Sequence, residues 1–157
     1  MMKAVLFDFK TAKEEWFDLV VQTYIKKIKP FIDFEIVSLK SNKTDRDEAE
    51  LKKVFESKEL LKKITADDFV ILFDEKGKDL DSVQFSKQLE VVVNSGKKRI
   101  VFIVGGAFGV SDDIKNRAHL SVSLSKMVMN HLVAETVVLE QIYRAFTIQK
   151  RIPYHNI

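Results

Sequence analysis

Short apolar runs of the kind that form buried strands alternate along this chain with stretches whose apolar residues recur every three or four positions. That alternation constrains the fold more than any other feature of the sequence. The run AVLFDF at 4–9 reads as a buried strand. Trp16, Phe17, Val20, Val21, Tyr24, Ile25 and Ile28 then form a wide helical stripe, closed by Pro30. FEIVSL at 34–39 predicts a second strand, and Leu51, Val54, Phe55, Leu61 and Ile64 mark a second helix beyond the polar segment SNKTDRDEAE. FVILF at 69–73 is continuously apolar, as a central parallel strand is. DEKGKDLDS reads as a loop, Phe85, Leu89, Val92 and Val93 as a third helix, and RIVFIV at 99–104 as a fourth strand. Ser111 is a good N-cap residue for a short helix over 111–118, with Asp112 and Asp113 favourable in its first turn. HLSVSLSKMVMNH reads as one strand followed by a loop, and the last helix covers 131–149.

Strand–helix alternation of this kind predicts an α/β fold, a mostly parallel sheet with helices on both faces. Ligands of such sheets bind beyond the carboxyl ends of the strands. The loops expected at 74–80, 105–110 and 124–130 are therefore the first places to look for a site. At 157 residues, without an internal repeat or a Pro/Gly/Ser-rich linker, the chain is expected to form a single domain, 1–157. The absence of cysteine excludes a disulfide scaffold, a thiol nucleophile, a zinc ribbon and an iron–sulfur site. The N-terminus is too short and too charged for a signal peptide, and no apolar run approaches the roughly 20 residues of a membrane span. A soluble cytoplasmic protein is the expectation. A net charge of +3 permits a nucleic-acid partner without requiring one.

Three of the five glycines, Gly105, Gly106 and Gly109, fall in the pentapeptide GGAFG that follows the fourth strand. Glycine there lets backbone N–H groups approach a ligand. The spacing matches neither a dinucleotide fingerprint nor a phosphate-binding P-loop, so a tight turn and a ligand loop are equally good readings of the pattern. His119, His131 and His155 lack metal-ligand spacing, and none of Ser121, Ser123 and Ser125 lies in a nucleophile elbow. The last helix is apolar almost all round, which demands burial on more than one side. A terminal element is expected to meet that demand at a subunit interface. Within it, Glu140 and Arg144 stand in the favourable order for an i, i+4 ion pair. The tail KRIPYHNI offers a stacking ring, a hydroxyl and an imidazole in Tyr154 and His155, beside the Lys150–Arg151 pair best placed for RNA phosphates.

Taken in order, LFDEKGK (72–78), VFIVGGAFGVSDDI (101–114), SVSLSKMVMNH (121–131), EQIYRAF (140–146) and PYH (153–155) closely resemble the ribosomal large subunit methyltransferase H family, small SPOUT-class enzymes. The resemblance covers the whole chain and is strongest from residue 70 onward. It implies a SPOUT-type α/β knot, in which the C-terminal segment threads a loop to form a trefoil; pattern alone would not suggest this, since knots are rare among folds. It implies a homodimer that uses S-adenosyl-L-methionine to methylate N3 of a pseudouridine in large-subunit (23S) rRNA of the assembled ribosome, with no metal and no membrane partner. By position, the implied cofactor residues are Leu72, Gly105, Gly106, Gly109 and the run Leu124, Ser125, Lys126, Met127, Val128, Met129. His131, Arg144, Tyr154 and His155 match family positions near the pocket or in the tail that closes over the RNA. The chain departs from the family at Asn130, where Pro is frequent, at Glu135, where Arg is usual, and after the first strand, where the family has Gly. A non-catalytic RNA- or ribosome-binding module with the same fold is the competing reading, and these departures are the features that allow it.

Overall fold

The structure, a computed structural model, describes residues 2–9, 14–40, 48–105 and 109–156. Ten elements follow one another: β1 (Lys3–Phe9), α1 (Glu15–Ile28), β2 (Asp33–Leu39), α2 (Ala49–Lys63), β3 (Phe69–Asp79), α3 (Ser82–Val93), β4 (Arg99–Val104), α4 (Asp112–Arg117), β5 (Leu120–Ser123) and α5 (His131–Gln149). The five strands form one sheet in the order β2-β1-β4-β3-β5, and every neighbouring pair is parallel.

Successive side chains of a strand point to opposite faces, so a strand covered on both faces must be apolar throughout. The central strands show this. Ala4, Leu6, Ile71, Phe73, Ile100 and Phe102 belong to one core layer, together with Ile28, Phe85, Leu89, Val138, Leu139 and Ile142 of α1, α3 and α5. Val5, Phe7, Val70, Leu72, Val101 and Ile103 belong to the other, with Leu60 of α2 and Ile114 of α4.

Three expectations change. The run predicted to end at Phe73 continues as strand to Asp79, through residues that read as a loop. Residues 74–77 leave the ladder, and Lys78 and Asp79 then pair with Val122 and Ser123, although Val122 is already paired with Phe73. Gly77 makes this possible: a Cβ there would stand 2.6 Å from the Val122 nitrogen and 2.7 Å from its carbonyl carbon, distances no side chain could relieve. A glycine among charged residues looks like a turn in sequence; here it is a close backbone crossing.

Ser111 does occupy the N-cap of α4, but its side chain caps nothing. Its own N–H donates to Ser57 Oγ at 3.0 Å, and its hydroxyl has no hydrogen-bond partner among the described residues. The helix that does carry a capping box is α3, where Asp81 Oδ1 accepts from the Gln84 N–H (2.7 Å) and Gln84 Oε1 from the Asp81 N–H (2.9 Å).

The third change concerns α5. Its all-round apolar surface is met largely within the chain, because the helix lies between α1 and α3 on the sheet. Polar bonds fix it on both sides: Tyr24 Oη donates to Glu140 Oε2 (3.0 Å), Ser82 Oγ to Gln141 Oε1 (2.6 Å) and Ser86 Oγ to the Ala145 carbonyl (2.7 Å). Apolar girth in a terminal helix is thus no evidence by itself for a subunit interface.

Candidate active site

A cavity of about 560 Å³ opens at the carboxyl ends of β3 and β4, within the size range of small-molecule sites. Phe73, Val104, Val110 and Leu124 give it apolar walls, Gly105 and Gly109 one rim, and Ser125, Met127, Val128 and Met129 the other. Charged side chains converge on it from different elements: Asp74 and Glu75 of β3, Lys53 of α2 and Lys115 of α4, with His131 and Ala134 at the start of α5.

Local physics accounts for the two loops. Gly109 has φ +79°, a conformation that suits glycine, and a Cβ on Gly105 would come within 3.1 Å of Val110 Cγ1. The 124–130 loop is tied to itself, the Met127 N–H donating to Ser125 Oγ at 2.9 Å. It feeds α5 through an N-cap at Asn130, whose Oδ1 accepts the Leu132 N–H at 2.9 Å. Asn at this position therefore does a helix-starting task that proline would do differently, by its fixed φ. Met127 and Val128 remain 79% and 82% exposed, an unusual state for apolar side chains at a cavity rim.

Of the residues singled out in the sequence, Gly105, Gly109, Leu124, Ser125, Met127, Val128, Met129 and His131 line this cavity. Leu72 does not; it is fully buried in the core layer beneath, where it supports the strand. Lys126 is exposed on the loop, its side chain outside the lining. Gly106 lies outside the described residues.

Arg144, Tyr154 and His155 do not reach the cavity. They form a second cluster 13 residues further along α5, about 20 Å at 1.5 Å per residue. Glu140 is its centre. Its Oε1 accepts from Arg144 Nε (2.7 Å), and its Oε2 from Tyr154 Oη (2.8 Å) as well as from Tyr24. The expected Glu140–Arg144 ion pair is present at 2.7 Å. Hydrogen bonding to Glu140 raises the Tyr154 hydroxyl above its ordinary range, and burial with the same bond pushes Tyr24 up to about 12. Arg144 Nη1 lies 2.9 Å from His155 Nδ1. A guanidinium only donates, so Nδ1 must accept, and His155 is the neutral tautomer that carries its proton on Nε2. The chain reverses into this tail at Arg151, which holds φ 55°, with the Ile152 N–H bonded to the Thr147 carbonyl at 2.9 Å.

His131 differs. Its Nε2 is buried without a hydrogen-bond partner among the described residues, and burial, with the nearby Lys52, lowers its pKa so that the ring is neutral at pH 7. One turn along the same face, Glu135 is 3% exposed, and its Oε2 has no hydrogen-bond partner among the described residues. Burial, then the Asp8 bond and charge, push Glu135 up to about 9, and burial raises Asp8 as well. Ser38 Oγ of β2 donates to Asp8 Oδ1 at 2.5 Å.

The burial of Glu135 is out of reach of motif reading, because it depends on how sheet and helices from distant segments pack. Lys53 and Lys115 escape sequence reasoning for the same reason. Among the described residues no group of three or more His, Cys, Asp or Glu side chains is disposed to hold a metal ion, and no helix is long and apolar enough to cross a membrane.

A parallel sheet whose glycine-rich loop and serine–methionine loop enclose a cavity in front of a long C-terminal helix defines a class. The chain belongs to the SPOUT methyltransferase family, whose model, described as "Predicted SPOUT methyltransferase", matches residues 2–155. Among its relatives is the protein named Ribosomal RNA large subunit methyltransferase H of Bdellovibrio bacteriovorus, 56% identical over 156 residues, covering 99% of this chain and 100% of the relative. The protein of the same name from Streptococcus pneumoniae is 40% identical over 159 residues, with 99% and 100% covered. This chain is a methyltransferase of that family.

Proposed function

We propose that the chain methylates N3 of a pseudouridine in 23S (large-subunit) rRNA of the assembled ribosome, with S-adenosyl-L-methionine as methyl donor and as a homodimer. The cavity at the carboxyl ends of β3 and β4 is the observation that carries this reading. Its apolar walls suit a purine, its glycine rim leaves backbone groups open to a ligand, and Asp74, Glu75, Lys53 and Lys115 offer partners for hydroxyls and for an amino-acid zwitterion. The cofactor supplies a methyl group on a sulfonium, a good leaving arrangement for in-line displacement, so the protein's tasks are alignment and proton management.

N3 of a pseudouridine is an imide N–H whose lone pair becomes available as the proton leaves. His131 is the residue suited to accept it: neutral, at the cavity wall, with Nε2 unpartnered. His155 is not suited in this arrangement, since Arg144 occupies Nδ1 and Nε2 bears the hydrogen; it is a donor. Arg144 and Tyr154 then serve as charge and stacking contacts for RNA. Their separation from the cavity along α5 argues for a second copy, which would bring one chain's tail to the other's cavity. The exposed Met127, Val128 and Val133 beside that cavity are apolar surface that such a partner would cover.

Titration calorimetry with S-adenosyl-L-methionine, followed by incorporation of labelled methyl into ribosomes and into free rRNA, tests the proposal. Saturable cofactor binding and labelling of ribosomes well above naked rRNA are expected, because a charge of +3 is too small to hold free RNA firmly. Equal labelling of naked rRNA would refute the ribosome requirement. Ribosome binding without methyl transfer would mark a binding module instead.

A further inference from the structure

The tail beyond α5 is fastened by side chains rather than by its backbone. Among the described residues, its last backbone bond to the body of the chain runs from the Ile152 N–H to the Thr147 carbonyl, and the Tyr154 N–H turns back on the Ile152 carbonyl at 2.8 Å. A chain end held so lightly ordinarily frays. Here the Tyr154 hydroxyl is bound to Glu140 and the His155 ring to Arg144. The Tyr154 ring meets Tyr143 edge-on, with centres 4.9 Å apart, and the Arg144 guanidinium lies 4.7 Å from the centre of the same ring. Helix α1 supplies the other half of the clamp. Tyr24 donates to the Glu140 oxygen that also takes the Tyr154 hydroxyl. Three residues on, hence on the same face of α1, Lys27 places its Nζ 5.5 Å from the centre of the Tyr24 ring, 5.2 Å from that of Tyr143 and 6.0 Å from that of Tyr154. One ammonium thus stands within cation–π reach of three rings, from α1, α5 and the tail.

We infer that Tyr24 and Lys27 are positioning residues for the tail: through Glu140 and the Tyr154 ring they hold Tyr154, Arg144 and His155 in place before RNA arrives. The inference rests on the proposed role of these tail residues as RNA contacts. Each link has its own chemistry. The Glu140 carboxylate only accepts, and Tyr24, Tyr154 and Arg144 saturate its two oxygens with three donors. Arg144, fixed by Glu140 at Nε, then holds His155 with Nη1. Lys27 is drawn to the negative faces of the rings and ties the tail's ring to those of the two helices. Contacts fixed beforehand spare the binding step the cost of ordering them. A tail that spends part of its time detached weakens apparent affinity by the fraction that stays competent. The α1 residues touch no substrate in this role; they set how much of the protein is ready to bind.

The experiment follows the Tyr154 ring protons by NMR in the full-length protein, beside KM and kcat for ribosome methylation. Two variants keep the packing and remove one link each: Tyr24→Phe takes only the hydroxyl, and Lys27→Met only the charge. In both, the Tyr154 signals are expected to move toward those of free tyrosine while the melting temperature holds. KM for ribosomes is expected to rise about three- to tenfold, with kcat and the affinity for S-adenosyl-L-methionine unchanged. Lys27→Arg keeps a cation over the rings and is expected to restore both the signals and KM. Packing of α1 on α5 alone would give neither the isolated rise in KM nor that rescue. Tyr154 signals unmoved in both variants would overturn the inference. So would a raised KM with unmoved signals in Lys27→Met, which would make Lys27 a direct phosphate contact. The two arms also separate this failure from that of the reading beneath it: moved signals with an unchanged KM show a tail that is clamped but makes no RNA contact, and this overturns the positioning role together with that reading.

Discussion

The two ends of the same sheet are built on opposite principles. At the amino end, Asp68 and Arg99 form a two-pronged ion pair: Arg99 Nε to Asp68 Oδ1 at 2.9 Å and Nη2 to Oδ2 at 2.6 Å. Every neighbour joins in. The Thr65 N–H donates to Asp68 Oδ2 (2.7 Å), Arg99 Nη2 also reaches the Lys63 carbonyl (2.8 Å), and Arg117 Nη2 the Thr65 carbonyl (2.6 Å). His119 belongs here too, stacked on Phe69 with ring centres 4.6 Å apart and accepting the Val70 N–H on Nδ1 at 3.0 Å. At the carboxyl end, Glu135 is buried with its pKa pushed up to about 9, and one of its oxygens and an imidazole nitrogen of His131 have no partner among the described residues. The satisfied end holds the fold. The unsatisfied end keeps its hydrogen-bonding capacity for chemistry, which is where local rules are expected to be broken.

Breaking the satisfied end should have the largest effect. Asp68 has only 4% of its side chain exposed, so Arg99→Ala strands a buried charge. We expect a loss of about 2–3 kcal/mol in denaturant titration, less than the roughly 3–5 of a fully buried pair because Arg99 keeps 30% exposure. Cofactor binding at the far end of the sheet should be spared in what remains folded.

The two ends should also answer pH with opposite signs. Burial works against ionised Asp68, yet the Arg99 bonds hold it below its ordinary value of 3.8. Its contribution is complete above that value and is lost as pH falls through the lower, folded one. Glu135 is raised from 4.5 to about 9, so its contribution is complete below 4.5 and is lost as pH rises through about 9. Thermal melts across pH should therefore decline on both sides. Arg99→Ala should flatten only the acid limb, and Glu135→Gln only the alkaline limb; a Glu135→Gln variant that still loses stability between neutral pH and about 10 would contradict a buried Glu135 that stays protonated at neutral pH.

The smallest change belongs to neither end and serves as the control. Arg151 closes α5 in a left-handed conformation that costs an L side chain about 1 kcal/mol, partly offset in Gly by its freer unfolded chain. Arg151→Gly should raise stability by about 0.5 kcal/mol in the same titration, leave both pH limbs in place and weaken the salt dependence of ribosome binding if Arg151 meets a phosphate.

Much of this molecule is legible in its residues. The strands at 4–9, 34–39, 69–73 and 99–104 and the last helix at 131–149 follow from period and composition alone, since a buried strand or helix announces itself in contiguous residues. The glycine loop and the 124–130 loop stand out because they follow strands in an α/β sheet. What stays hidden is non-local or polar. The extension of β3 to Asp79 depends on Gly77 meeting Val122, and the tail depends on Glu140 gathering Tyr24, Arg144 and Tyr154. Leu72 shows the converse: its motif points to the cavity, and strand alternation turns it into the core.

Side-chain period and apolarity are local properties, so the residues alone dictate an α/β chain with both sheet faces covered and its site-bearing loops at one end. Three-dimensional packing was needed to bury the Glu135 carboxyl one turn from His131, and to gather Arg144, Tyr154 and His155 apart from the cavity. Those are meetings of charged and polar groups from distant segments, and a charge takes its chemistry from what is packed beside it.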